Sequence, residues 1–338
     1  MCIRDSKVTS AEVKDGFWDV SLESSLTGET SKVTARMVVT AAGPWVGDVV
    51  RGTLKSNQQG DVRLVRGSHI VTKQLFNHDK CYFFQGVDGR ITFAIPYETD
   101  YTLIGTTDAE HPDASVKPEC TPEEQAYLLN FINQYLAKPI GDEEVVWTYS
   151  GVRPLYDDGA SSASAATRDY VLKMDMSRGA PALNIFGGKI TTYRRLAESA
   201  LDEIADQFKK LPPKWTAGVS LPGGDFPVDG VQDLIANLRI DFPFLNERWA
   251  TRLVRAYGTE ATDVLRDAKT KDELGMDFGA DLTENEVEWL MDKEYARRAD
   301  DVVWRRSKIG LRLTESQIAT LDNWMKDRLS KVIFTAAE

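Results

Sequence analysis

Three cations stand where extended segments end: Arg153 between Val152 and Pro154, Arg168 ahead of Asp169-Tyr170, and Lys189 after Gly187-Gly188. A cation in an apolar setting is costly unless an anion pairs with it. The planar fork of arginine suits phosphate or carboxylate. The three therefore predict a pocket for a small anionic substrate. The competing reading is three internal salt bridges, for which 52 acidic residues leave ample partners. Of three histidines, only His69 falls within a β-rich run, beside Gly67 and Ser68. Two roles are open to it, a hydrogen-bonded structural residue or a general base. His78 and His111 fall in polar loops and read as surface. There is no Gly-x-Ser-x-Gly elbow, no His-Glu-x-x-His and no cysteine cluster, since Cys2, Cys81 and Cys120 are far apart. Nucleophilic hydrolysis and metal catalysis thus have no positive support, and the cysteine usage reads as a reducing compartment.

The stretch Leu183 to Arg195 reads as a buried strand, a glycine turn and a helix start. Gly187 and Gly188 allow a sharp turn and a close backbone approach. Thr191 or Thr192 is the expected cap. Ala197, Ala200, Leu201, Ile204 and Phe208 recur at helical spacing and predict one buried face. A helix start behind such a turn favours anions and electron-rich ring edges. A P-loop is excluded, because Ile190 follows the Gly-Lys pair and Leu183 stands where the first glycine belongs.

These groups need elements to hold them. Residues 8–42 predict a β-meander, with a hairpin turn at Asp15-Gly16, feeding an apolar strand that ends at Ala41-Ala42-Gly43. From Val62 to Ile104 the pattern is mainly β, with a second hairpin signal at Asp88-Gly89. Thr121-Pro122-Glu123-Glu124 combines a capping box with proline at the first helical position, and Leu128, Phe131, Ile132, Tyr135 and Leu136 give that helix an apolar face. Residues 145–155 return to strand, and 157–166 read as an exposed loop. Pro212-Pro213 and Leu221-Pro222-Gly223-Gly224 punctuate a linker. Beyond it the chain reads as helical, with an Asn246 cap and capping boxes at Thr283/Glu286 and Thr314/Gln317.

The chain has 338 residues, 42% hydrophobic and 28% charged, enough for two domains with full cores. Its formal net charge is −11, which argues against nucleic acid as a main partner. No apolar run approaches the ~18 residues that span a bilayer. Attachment to a membrane surface needs only a patch, and Arg297, Arg298, Arg305 and Arg306 are the candidate basic face.

In order, Ala41-Ala42-Gly43-Pro44-Trp45, Arg66-Gly67-Ser68-His69-Ile70, Ile104-Gly105-Thr106-Thr107-Asp108, Tyr149 to Leu155 (Tyr-Ser-Gly-Val-Arg-Pro-Leu), Thr167-Arg168-Asp169-Tyr170 and Phe186 to Arg194 resemble the FAD-dependent glycerol-3-phosphate dehydrogenases. The tail continues the resemblance through Leu221 to Gly224, Asp277-Phe278-Gly279 and Arg297 to Asp301. It implies a mixed α/β fold: an incomplete Rossmann-like FAD domain interleaved with an antiparallel-sheet substrate domain, then a helical C-terminal domain. The corresponding expectation is residues 1–60 in the FAD domain, 61–180 in the substrate domain, 181–211 returning to the FAD domain, and 212–338 in the helical domain.

The resemblance further implies oxidation of sn-glycerol 3-phosphate to dihydroxyacetone phosphate, with hydride passing to FAD and electrons to a quinone. Arg153 and Arg168 would hold the substrate phosphate, with Thr106 near the substrate. His69 and Lys189 would lie near the reacting hydroxyl, and His69, Lys189 or an arginine is the base. Ala42, Gly43 and Trp45, with Gly187, Gly188, Lys189, Ile190, Thr191 and Thr192, would line the FAD site. A homodimer, and a cytoplasmic location or a peripheral one on the inner membrane, are the associated expectations. The alternatives are a glycerol-3-phosphate oxidase using oxygen, a relative oxidising amino acids, or a non-catalytic fragment.

The family's Gly-x-Gly-x-x-Gly turn, which grips the FAD pyrophosphate, has no counterpart in this sequence. Met1 to Ser6 does not match the family either. The expectation is that this chain by itself binds FAD poorly.

Overall fold

The computed structural model describes residues 6–25, 27–87, 89–159, 167–208 and 211–335, the last five by backbone alone. Asp88 of the expected second hairpin turn, residues 160–166 of the expected loop, and Met1 to Asp5 lie outside the described residues. The chain forms two compact units, Met1–Lys214 and Trp215–Glu338.

The first unit begins with β1 (Ser6–Lys14), β2 (Phe17–Ser24) and β3 (Thr30–Ala35), an antiparallel meander. Asp15 and Gly16 turn between the first two strands with φ of 52° and 78°, the left-handed pair that a two-residue hairpin requires. Trp18 is buried and packs in one apolar cluster with Ala11, Leu54, Ala180 and Ala182. Its indole N–H donates to the Pro181 carbonyl at 2.8 Å. Next come β4 (Val38–Thr40) and α1 (Val46–Asp48), which continues as a wider helical turn through Thr53.

A six-stranded antiparallel sheet follows. Its strands are β5 (Val62–Lys73), β6 (Tyr82–Gln85), β7 (Ile91–Tyr97), β8 (Tyr101–Gly105), the short β9 (Ala109–Glu110) and β10 (Val145–Tyr156). Their order is β10-β5-β8-β7-β6, with β9 also on β5. Between β9 and β10 lies α2 (Pro122–Ile132), started by the expected capping box on Thr121 and Glu124. Its Leu128, Leu129 and Ile132 pack on Ile70, Ala94 and Ile104, covering one face of the sheet. Tyr135 remains 46% exposed, though its ring stacks on Phe84 at 4.4 Å.

The chain then crosses to a second sheet at β11 (Tyr170–Asp175), continues through β12 (Ala182–Gly187), and enters α3 (Tyr193–Glu203). This sheet has the order β11-β12-β4, and β12 runs parallel to β4. Two expectations about α3 fail. Neither Thr191 nor Thr192 caps it; the Thr192 hydroxyl donates to the Lys189 carbonyl at 2.9 Å, because residues 190–192 form a tighter helical turn first. Of its expected buried face only Ile204, just past the helix end, is buried, while Leu201 and Phe208 are 47% and 40% exposed. Within this chain the helix has too little opposite it to cover the stripe.

The second unit holds α4 (Val231–Asp241), α5 (Glu247–Tyr257), α6 (Ala261–Leu265), the short pair β13 (Asp277–Gly279) and β14 (Leu282–Thr283), α7 (Glu284–Lys293) and α8 (Glu315–Thr335). One apolar core joins them, including Trp249, Leu253, Val287, Leu290 and Leu321. Asn246 caps α5 by accepting the Trp249 N–H at 2.8 Å. Thr314 and Gln317 exchange capping bonds ahead of α8. The box expected at Thr283 and Glu286 does not form. Glu286 is buried and taken by Arg252, at 2.5 and 2.7 Å, and by the Tyr257 hydroxyl at 2.8 Å. A charged partner holds a buried carboxylate more strongly than a lone backbone N–H does. The candidate basic face is also partly spent: Arg297 donates to the Met291 and Ala296 carbonyls, and Arg306 to the Glu294 carbonyl. Among the described residues no helix is long and apolar enough to cross a membrane.

Candidate functional site

The site is built on the sheet face opposite α2. Register places Tyr149 of β10, His69 of β5, Gly105 of β8 and Phe93 of β7 in one row across the sheet. The His69 ring stacks on Tyr149 at 4.8 Å, nearly parallel to it, and Tyr149 stacks in turn on Trp147 at 5.0 Å. On its other side the imidazole lies directly over Gly105. A β-carbon there would meet His69 Cδ2 at 2.2 Å, so glycine is what lets the ring lie flat.

Two residues along, Arg153 lies across Gly67 in the same way. A β-carbon on Gly67 would fall 2.5 Å from the guanidinium. That guanidinium donates to Asp108 at 2.8 Å and to the Thr106 hydroxyl at 3.1 Å. Both side chains of the ion pair are partly exposed, 32% and 43%, so the pair itself is worth at most about 1 kcal/mol. Its consequence is orientation. Arg153 is held by two fixed acceptors with its charge still open to solvent.

Burial, and then the Arg153 charge, push the His69 pKa down to about 4. The imidazole is therefore neutral at pH 7, and its Nδ1 is buried with no hydrogen-bond partner among the described residues. A neutral imidazole beside a fixed guanidinium can receive a proton while the cation holds an anion. His111, expected on the surface, is buried instead, its Nε2 2.9 Å from the Val116 carbonyl oxygen. His78 is in an exposed contact with the Tyr82 hydroxyl at 3.0 Å.

The glycine turn after β12 meets the same end of β10. Gly187 has φ 67°, and a β-carbon on it would touch the Tyr156 backbone nitrogen at 3.0 Å and the Asp169 carbonyl at 3.3 Å. Gly188, φ 93°, presses on Tyr170. The turn is thereby seated between the end of β10, which carries Arg153, and the start of β11, which follows Arg168. Arg168 and Lys189 themselves are exposed and have no ion-pair partner among the described residues. The structure thus joins Thr106 to Arg153 by a hydrogen bond and sets His69 on the same sheet face, within range of the Arg153 charge. It brings Lys189 and Arg168 only to neighbouring strand ends.

Whether a flavin ring fits these turns rests on what they expose. Gly43 takes φ 54° with open space where a side chain would stand. Trp45 and Ile190 are 51% and 87% exposed. Ala42 and Gly43 are half-buried, as is Thr192, while Thr191 is exposed. Open glycine backbone with uncovered apolar side chains suits a flat ring carrying polar edges, so the residues present fit the ring end of that cofactor.

Gly67, Gly105, Asp108 and Tyr149 are additions to the candidates read from the sequence. All four lie inside the motifs quoted above, yet their roles depend on cross-strand neighbours that spacing along one strand does not reveal.

A family described as FAD dependent oxidoreductase matches residues 2–194, and the C-terminal domain of alpha-glycerophosphate oxidase matches residues 214–329. The chain is 40% identical over 321 residues to the aerobic glycerol-3-phosphate dehydrogenase of Escherichia coli (strain K12), covering 95% of this chain and 64% of that protein. It is 39% identical over 317 residues to the D-erythritol 1-phosphate dehydrogenase of Brucella abortus (strain 2308), covering 94% and 63%. The crystal structure of the glycerol-3-phosphate dehydrogenase from Bacillus halodurans complexed with FAD superposes with a TM-score of 0.77 at 25% identity, covering 96% of this chain and 64% of that one. The chain therefore spans a little under two thirds of the length of these relatives. With more than half of its residues matched, and with a fold shared with an FAD-bound structure, the chain belongs to the FAD dependent oxidoreductase family.

Proposed function

We propose that this chain supplies the substrate site, and the ring-facing turns, of a flavoenzyme that oxidises sn-glycerol 3-phosphate to dihydroxyacetone phosphate. The observation that carries this reading is the pairing of Arg153, fixed by Asp108 and Thr106, with a neutral His69 on one sheet face. The guanidinium offers the substrate phosphate a planar fork. Arg168 and Lys189, exposed at adjacent strand ends, add positive field for a dianion. His69, neutral at pH 7, takes the proton of the C2 hydroxyl. When bound, FAD supplies the hydride acceptor for C2. Residues 42–45 and 187–192 would face its ring. In this reading residues 1–60 and 181–211 serve the cofactor, 61–180 serve the substrate, and the electrons go on to a quinone at a membrane surface, in a homodimer. Arg298 and Arg305 are what remains exposed of the candidate basic face.

A second substrate has its own support. The D-erythritol 1-phosphate enzyme is nearly as similar as the glycerol-3-phosphate enzyme, at 39% against 40% identity. Both substrates present a phosphate and a secondary alcohol, so the same residues serve either.

Calorimetric titration of the purified chain with sn-glycerol 3-phosphate and with D-erythritol 1-phosphate tests the site. Binding of one of them, weakened at least about tenfold (~1.4 kcal/mol) in Arg153→Ala, is expected. Sarcosine should not bind. Equal binding by the variant, or binding of neither phosphate, sinks the reading. Gel filtration after FAD loading should strip most flavin, because no pyrophosphate-gripping turn is present in the sequence. Stoichiometric retention contradicts that part. In flavin-loaded preparations, peroxide formation in place of quinone reduction would favour the oxidase alternative.

A further inference from the structure

Behind the site, on the α2 side of the sheet, one carboxylate joins three elements. Glu124 is 11% exposed at its side chain. Its Oε2 accepts the Thr121 N–H at 3.1 Å and lies 3.0 Å from Arg66 Nη2. Its Oε1 accepts the Thr107 hydroxyl at 2.8 Å. Thr107 Oγ1 accepts in turn the Ser68 N–H at 2.9 Å. A capping carboxylate needs only the first of these bonds. The others reach β5 at residues 66–68 and the segment after β8 at residues 106–108. Those two segments carry the site. Gly67 underlies Arg153, Ser68 precedes His69, and Thr107 sits between Thr106 and Asp108, the two acceptors of the Arg153 guanidinium.

We propose that Glu124 is a positioning residue, which from behind the sheet holds Thr106 and Asp108 at the spacing that sets Arg153 against His69. Removing its charge weakens the bonds from Thr107 and Arg66, leaving Thr107 to its Ser68 bonds, and the two residues on either side of it are then held less firmly. Arg153 swings away from the imidazole. Burial alone would raise the Glu124 pKa, but the Thr121 N–H, the Thr107 hydroxyl and Arg66 hold it below the usual carboxylate range, so the tether is intact throughout the neutral range. The inference deepens the anion site proposed above, yet its geometry stands whichever substrate that site takes.

The charged group that faces His69 is Arg153, and the titratable ring stacked on it is Tyr149, both on β10. Because the chain has only three histidines, proton NMR of the whole chain resolves each, and the signal absent from His69→Gln identifies His69. In Glu124→Gln the His69 pKa should rise by about one unit as the Arg153 repulsion weakens. Thr107→Val should move it in the same direction, and Glu124→Asp should restore part of the shift. Thr121→Ala removes the cap alone; it should lower the melting temperature and leave the His69 titration unchanged. A cooperatively folded Glu124→Gln chain with an unmoved His69 pKa overturns the proposal. If Glu124→Gln does not fold, an unmoved pKa in Thr107→Val does the same. Failure of the functional reading would show separately, as a wild-type chain that binds no polyol phosphate while these shifts persist.

Discussion

His69 combines three constraints: a stacked tyrosine on one side, a glycine beneath, and a guanidinium nearby. Burial, and then the Arg153 charge, lower its pKa from 6.5 to about 4. Between those two values the unfolded chain binds more protons than the folded one. The associated stability is therefore complete above about pH 6.5 and is lost as pH falls towards 4. Melting curves from pH 7 to 4.5 should show the wild type losing stability faster than His69→Gln, and parallel losses would contradict the assignment. If His69 is the base, the acid limb of kcat/KM belongs near its depressed value and not near 6.5. The residue types at this scale were legible beforehand. His69, Arg153 and Thr106 stand in motifs whose chemistry the sequence displays. That His69 is neutral was not legible, because desolvation and the distance to Arg153 exist only after folding.

At the scale of elements, glycines decide the shape of the site, and two in the same sheet separate cause from composition. Gly105 has the His69 ring where a side chain would go, whereas Gly151, in β10, has nothing within 4 Å. Gly105→Ala should destabilise the first unit by about 1–3 kcal/mol through overpacking and displace the His69 ring. Gly151→Ala should be close to neutral. Urea denaturation of the two variants measures this, and equal effects would mean that His69 does not depend on the flat floor. Caps and hairpins were well read from sequence, as Asp15-Gly16, Thr121 with Glu124 and Asn246 show, because each depends on residues within a few positions. The α3 stripe and the Thr283 box were misread for the opposite reason. Leu201 stays exposed, and what claims Glu286 lies 34 positions away in the chain; neither can be read from local spacing.

Across the whole molecule, two units carry different kinds of order. The first gathers glycine turns and open cations at the ends of its strands. The second pairs a buried Glu286 with a largely covered Arg252 beside a large apolar core. Glu286→Gln leaves Arg252 covered without a counter-charge and should cost about 3–5 kcal/mol. Denaturation followed by the fluorescence of Trp249 or Trp289 should show the loss in the second unit. An unchanged transition would place the pair's contribution near zero.

The sequence by itself determined the family, the order of the motifs, the β-rich and helical halves, and the residue types able to hold an anion and move a proton. These follow from local pattern and from residue chemistry, which a linear chain displays directly. Only the tertiary structure decided which of those residues meet. It brought His69, Arg153, Thr106 and Asp108 together through strand register, left Arg168 and Lys189 open, and placed Glu124 behind them. Register and burial are set by contacts between segments tens of residues apart, and electrostatics follows from burial. Those quantities have no value until the sheet has closed around its glycines.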